Sequence, residues 1–248
     1  VTDLALIVGS GFEQFGFPIV ARSPTKTPYG EPSCPVLTLE IGGRRVPCIA
    51  RHGENHELAP HEINYRANVW ALAQRGVRAC VGINTVGAIA AGFLPGELAV
   101  PDQLIDYTWG RVSTFSGGGE PVRHVEFAEP FSAALRARLV AAADACGFST
   151  TAGTYGVTQG PRLETAAEIA RMERDGCAMV GMTAMPEAVL ARELDLEYAI
   201  CAVAVNFAAG RSPDGVPISV EIARFMSAGL DKVRAVLERL VADSENAV

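Results

Sequence analysis

The chain has 248 residues, 49% of them hydrophobic and 20% charged, with a formal net charge of −7. That length suits one α/β domain, 1–248, with a sizeable core. The acidic balance argues against a nucleic-acid or anionic-membrane partner, since both call for a basic face, and no apolar run reaches the ~18 residues of a membrane span.

The opening VTDLALIVGSG has neither a basic stretch nor a cleavage signal, so no secretory leader is expected. Six cysteines, at 34, 48, 80, 146, 177 and 201, form no CxxC pair, and Cys80 and Cys201 lie in apolar runs. They read as reduced core thiols of a cytoplasmic protein.

The first predicted strand, 4–8, runs into Gly9-Ser10-Gly11. Two glycines let backbone approach a ligand, though a tight turn explains them equally, and the spacing is not that of a dinucleotide fingerprint. Strands over 36–41 and 45–49 follow, the second leading into Ala50-Arg51-His52-Gly53-Glu54-Asn55-His56. Arg51 offers a planar fork suited to an oxyanion. His52, His56 and His61 raise the question of a metal, but His56-Glu57 to His61 is one residue too long for HExxH, and Pro60 breaks the helix that would align the imidazoles. An anion or sugar site is the better reading, and no metal is expected.

A helix is predicted over 61–75 and a strand over 79–83, ending in Asn84-Thr85-Val86-Gly87, a small bend that can present N–H groups to an anion. Next come a strand over 98–101, a surface loop over 113–121, a helix over 131–146 and a strand over 153–157. Thr158 to Thr165 (TQGPRLET) then turns into a helix over 165–175, whose N-terminus Glu164 favours electrostatically. A strand over 179–181, the turn Gly181-Met182-Thr183-Ala184-Met185-Pro186 and a helix over 186–194 repeat that pattern. The strand over 198–205 ends at Asn206, alone no more than a turn former. A helix over 219–241 follows, with Val220, Ala223, Met226, Leu230, Val233, Leu237 and Val241 at helical spacing. Alternating strands and helices predict an α/β fold on a mixed, mostly parallel sheet, with ligands at the carboxyl ends of the strands.

Eight strings in order, GSG, ARHGENH, INYRANVWAL, NTVGAI, QLIDYT, HVEFAEPF, TQGPRLET and GMTAMPEA, resemble the trimeric branch of the purine nucleoside phosphorylase family, which includes methylthioadenosine phosphorylase. Within that branch the chain is most similar to the bacterial methylthioinosine-cleaving members. The resemblance implies a single domain with a barrel-like central sheet flanked by helices, a homotrimer, and phosphorolysis of a nucleoside with no cofactor or metal. It places Ser10, Arg51, His52, Thr85 and Thr183 at phosphate. It places Val86, Gly87, Leu163, Glu164 and Asn206 at the purine, and His56, Met182, Ile218, Val220 and Ala223 at the ribose and its 5′ group. His124 would reach the neighbouring subunit's site.

At those positions the residue types discriminate between bases. A 6-oxopurine carries a hydrogen on N1 and acceptors at O6 and N7. Glu164 can accept the first, and Asn206 can donate to the others. Asn206 is thereby the catalytic candidate, stabilising charge on the leaving base. Adenosine-specific relatives place Ser at the position matching Glu164 and Asp at the position matching Asn206. An apolar Val220, where relatives that use ordinary nucleosides keep a His, suits a 5′-methylthio group. The expected substrate is therefore methylthioinosine, with inosine, guanosine and methylthioadenosine as alternatives.

Overall fold

The computed structural model describes residues 3–11, 15–117, 119 and 122–243. Its elements in chain order are β1 (Leu4–Val8), β2 (Ile19–Ser23), β3 (Val36–Ile41), β4 (Arg44–Ala50), α1 (Tyr65–Ala73), β5 (Ala79–Ala88), β6 (Leu98–Ala99) and β7 (Gln103–Asp106). They continue with α2 (Ala133–Ala145), β8 (Thr150–Thr151), β9 (Thr154–Val157), α3 (Ala166–Arg174), β10 (Cys177–Gly181), α4 (Ala184–Glu193), β11 (Glu197–Phe207) and α5 (Ile218–Asp243).

All eleven strands belong to one mixed sheet, organised on β5. One edge of β5 pairs in parallel with β11 along its whole length, Ala79 to Ala88. Its other edge is shared. β1 pairs in parallel with Ala79–Ile83, and β10 pairs antiparallel with Gly87 and Ala88. From there β1 leads to β4, β3 and β2, and β10 to β9 and β7. The sheet branches at β5 and, among the described residues, does not close, which corrects the barrel-like expectation. Strands β1, β5 and β11 are apolar on both faces because both are covered, as parallel central strands require.

Three strands escape the sequence reading. β2 and β7 are edge strands with mostly exposed or half-exposed side chains, and β8 has two residues, so none shows an apolar run. The predicted bend at Asn84–Gly87 is also corrected: those residues stay in β5, held by β11. Helix α1 begins at Tyr65 rather than His61 because the Asn64 side chain caps it, accepting from the Ala67 N–H. The capping box of Thr165 and Glu168 starts α3 one residue after Thr165. The predicted 113–121 loop lies partly outside the described residues. Among the described residues no helix is long and apolar enough to cross a membrane.

Helix α5 lies against β11 so closely that a Cβ on Gly229 would stand 2.6 Å from Val203 Cγ2. Alanine would gain about 1 kcal/mol in helix propensity, but overpacking a core costs about 1–3 kcal/mol. Gly229→Ala should therefore destabilise the protein, measured as a lower urea midpoint. A higher midpoint would mean that α5 can shift away from the sheet.

Candidate active site

The carboxyl ends of β1 and β10 approach the middle of β5 from opposite directions. Val8 pairs with Ile83 from one side, and Val180 pairs with Gly87 from the other. The residues that follow, Gly9-Ser10 and Met182-Thr183, flank the gap at Asn84–Val86. A cavity of about 620 Å³ opens there, a nucleoside-sized volume within the range of small-molecule sites. Of the residues singled out from the sequence, Ser10, Arg51, His52, His56, Thr85, Val86, Gly87, Leu163, Glu164, Met182, Thr183 and Asn206 all line it.

Arg51, whose planar fork suits an oxyanion, is already engaged by the protein itself. Its side chain is 1% exposed. Nε and Nη2 donate to the two carboxylate oxygens of Glu187. Nη1 donates to Ile83 O at 3.0 Å, and Nη2 also to Ile7 O at 3.3 Å and Asn84 Oδ1 at 3.2 Å. Burial alone would lower its pKa, but the charge and hydrogen bonds of Glu187 together raise it above the ordinary value. The guanidinium is thus ionised and locally neutralised. Gly9 makes room for it, since a Cβ there would stand 2.6 Å from Nη1. Sequence reasoning missed Glu187, buried on α4 and 136 positions from its partner.

The hydroxyls beside this pair are pre-oriented. Asn84 Nδ2 donates to Thr183 Oγ1 at 3.0 Å, which leaves the Thr183 hydrogen for another acceptor. Ser10 Oγ lies 2.9 Å from His56 Nε2, and His56 takes a left-handed φ of 57°, an uncommon conformation outside glycine. His52 is fixed differently. Its Nδ1–H donates to Leu58 O at 2.8 Å, leaving Nε2 as an acceptor. Burial, then the Arg51 charge, lower its pKa to about 4, so the ring is neutral at pH 7.

Elsewhere in the lining, Glu164 Oε1 accepts from Thr158 Oγ1 at 2.6 Å and Asn206 Nδ2 donates to Phe207 O at 2.7 Å. Each keeps further hydrogen-bonding capacity: the second carboxylate oxygen, and the remaining N–H and Oδ1 of the carboxamide. A Cβ on Gly87 would stand 3.1 Å from Asn206 Nδ2, so only glycine lets β5 and Asn206 meet here without displacement. Leu163, 46% exposed, sits at the rim.

The 5′ assignments on α5 need correction. Val220 is 53% exposed, Ala223 is exposed and Ile218 packs against a cluster containing Ile169 and Met172; none lines the cavity. Its apolar wall from this helix is Ile222 and Met226, one turn apart. His124 is exposed and outside the cavity of its own chain. Among the described residues no three His, Cys, Asp or Glu side chains are grouped to hold a metal.

A family model described as the phosphorylase superfamily matches residues 3–242. The chain is 49% identical over 248 residues to a probable S-methyl-5'-thioinosine phosphorylase of Pseudomonas syringae pv. tomato, covering 98% of this chain and 100% of that protein. It is 42% identical over 216 residues to a 6-oxopurine nucleoside phosphorylase of Pyrococcus furiosus, covering 84% and 81%. Among solved structures, methylthioadenosine phosphorylase from Schistosoma mansoni in complex with adenine superposes with a TM-score of 0.93 at 30% identity, covering 100% of this chain and 93% of that one.

A depressed histidine pKa has a defined linkage sign. Between pH 6.5 and about 4 the unfolded chain binds a proton that folded His52 refuses, so its contribution to stability is complete above pH 6.5 and is lost as pH falls. The loss approaches about 3 kcal/mol at 1.36 kcal/mol per unit. His52→Asn keeps a donor for Leu58 O and removes the titration. Its unfolding free energy, followed by urea titration between pH 7 and 4, should fall less steeply than that of the unmodified protein. Parallel curves would show that His52 titrates normally.

Proposed function

The chain belongs to the phosphorylase superfamily, and from that premise we propose that it cleaves a 6-oxopurine nucleoside with inorganic phosphate, S-methyl-5′-thioinosine being the preferred substrate. The observation that carries this reading is that Glu164 and Asn206 line the same cavity as the hydroxyls of Ser10, Thr85 and Thr183.

In this reading phosphate occupies the hydroxyl end. An oxygen of phosphate attacks the anomeric carbon, the bond from that carbon to N9 breaks, and the bonding electrons pass to the purine. Asn206 donates to N7, where that charge collects, and Glu164 accepts from N1–H. Nε2 of neutral His52 can only accept, so it receives a hydrogen bond from hydrogen phosphate, whose proton ends on the departing purine. The products are hypoxanthine and 5-methylthioribose 1-phosphate. Adenine fits less well, since its N1 has no hydrogen to offer Glu164. Relatives named for 6-oxopurine nucleosides and for methylthioinosine support this choice.

Met182 borders the ribose, and the methylthio group rests on Ile222 and Met226. Phosphate is a co-substrate, and no cofactor takes part. The active assembly is a homotrimer to which His124 contributes across the interface; its exposure outside its own cavity supports this. The enzyme works in the cytoplasm, a location supported by six cysteines that are all free.

Inosine, adenosine, methylthioadenosine and methylthioinosine, each with and without phosphate, test this through base release. Release should require phosphate. Methylthioinosine should exceed inosine in kcat/KM by roughly tenfold to a thousandfold, since an apolar wall gains burial from the methylthio group and strands a hydroxyl. Ile222→His should narrow that ratio, whereas Val220→His should not. Asn206→Asp should raise the relative use of adenine nucleosides. Release without phosphate would indicate a hydrolase, and equal kcat/KM for the two 6-oxopurine substrates a general purine nucleoside phosphorylase.

A further inference from the structure

Arg111 lies in the irregular chain between β7 and α2, outside every motif that the reaction uses. Its guanidinium nevertheless gathers the turns that build the cavity. Nη1 donates to Met182 O and Met185 O, both at 2.7 Å, and to Tyr65 Oη at 3.2 Å. Nη2 donates to Gln159 O at 2.8 Å and Thr158 O at 3.3 Å. Tyr65 passes the connection to a third cavity segment, donating to Pro60 O at 2.7 Å, and its ring lies 5.6 Å beneath the guanidinium. Every acceptor is neutral, and among the described residues no carboxylate pairs with Arg111. Its Nε is buried with no partner among them.

An arginine meeting this many acceptors without an ion pair is costly to place and has a specific geometric effect. β9 and β10 end side by side, Val157 opposite Gly181. Thr158 and Glu164 follow the first end, Met182 and Thr183 the second. These two turns both line the cavity, and among the described residues, apart from the Thr158 contacts with Gly181 O and the Met182 side chain against Gly160, the guanidinium is the polar group that spans them. A planar fork can hold both turns at once; a lysine ammonium, with three donors at one point, cannot.

We infer that Arg111 is a positioning residue that locks the base-reading turn to the sugar-and-phosphate turn. This rests on the phosphorylase reading for its kinetic consequence, though not for its structural one. Arg111→Lys and Arg111→Ala test it by hydrogen exchange and by kinetics, with melting temperature measured alongside. Exchange should accelerate together in residues 156–165 and 180–187, while 198–205 in β11 keep their protection. In Arg111→Lys, kcat/KM should fall by about a hundredfold, as for a displacement remote from the chemistry, with KM rising for nucleoside and phosphate alike. Guanidinium ion, and not ammonium, should restore part of the activity of Arg111→Ala.

Faster exchange in neither turn, or in one alone, would overturn the inference. So would an Arg111→Lys enzyme with unchanged kinetic constants. If the unmodified protein releases no base with phosphate, the functional reading fails, and the exchange result still decides the role of Arg111. If Arg111→Ala does not fold, Arg111→Lys carries both measurements.

Discussion

The site depends on one buried ion pair. Arg51 and Glu187 are both essentially inaccessible to water, at 1% and 0% exposure. Removing two charges from water is expensive, and their attraction offsets it only when the remaining donors and acceptors are also met. Here they are: Arg51 reaches the carbonyls of Ile7 and Ile83 and the Asn84 side chain, and Tyr198 donates to Glu187. Those partners belong to β1, β5, α4 and β11, while Arg51 itself directly follows β4. Breaking one side of such a pair costs about 3–5 kcal/mol. The pair therefore ties five elements to one another.

The same network extends to the cavity through Asn84, which accepts from Arg51 and donates to Thr183. A polar asparagine can remain within a buried strand because its side chain is satisfied at both ends. The branch in the sheet supplies the space. β1 runs parallel to β5 and β10 antiparallel, so their carboxyl ends face each other across Asn84–Val86, and ligand sites form where strands diverge in this way. On the phosphorolysis reading proposed above, a chain with a net charge of −7 receives its phosphate through oriented hydroxyls beside a locally neutralised Arg51.

Much of this was legible in the sequence because the cavity is built from residues immediately after apolar strands. Ser10, His52 and Thr183 each stand two residues past a strand, Glu164 lies in the turn after β9 and Asn206 in the last residues of β11, and each lines the cavity. Relations across long separations were not legible. Nothing near Arg51 announces Glu187, and Arg111 sits in a stretch with no periodicity, its partners all backbone carbonyls or a tyrosine hydroxyl. Helical phase accounts for the error on α5. Val220 lies six residues before Met226, or about 240° around the helix after whole turns are removed, and so faces away from the cavity that Met226 lines. Ile222, four residues before Met226, shares its face.

A crystal structure of the protein with phosphate and hypoxanthine bound together tests the central claim most directly. The account predicts phosphate oxygens within hydrogen-bond distance of Ser10 Oγ and Thr183 Oγ1, with Arg51 still paired to Glu187. It also predicts purine N1 facing Glu164 and N7 facing Asn206. Phosphate bound away from those hydroxyls, Arg51 released from Glu187 to hold it, or a purine turned with N7 toward Glu164 would contradict it.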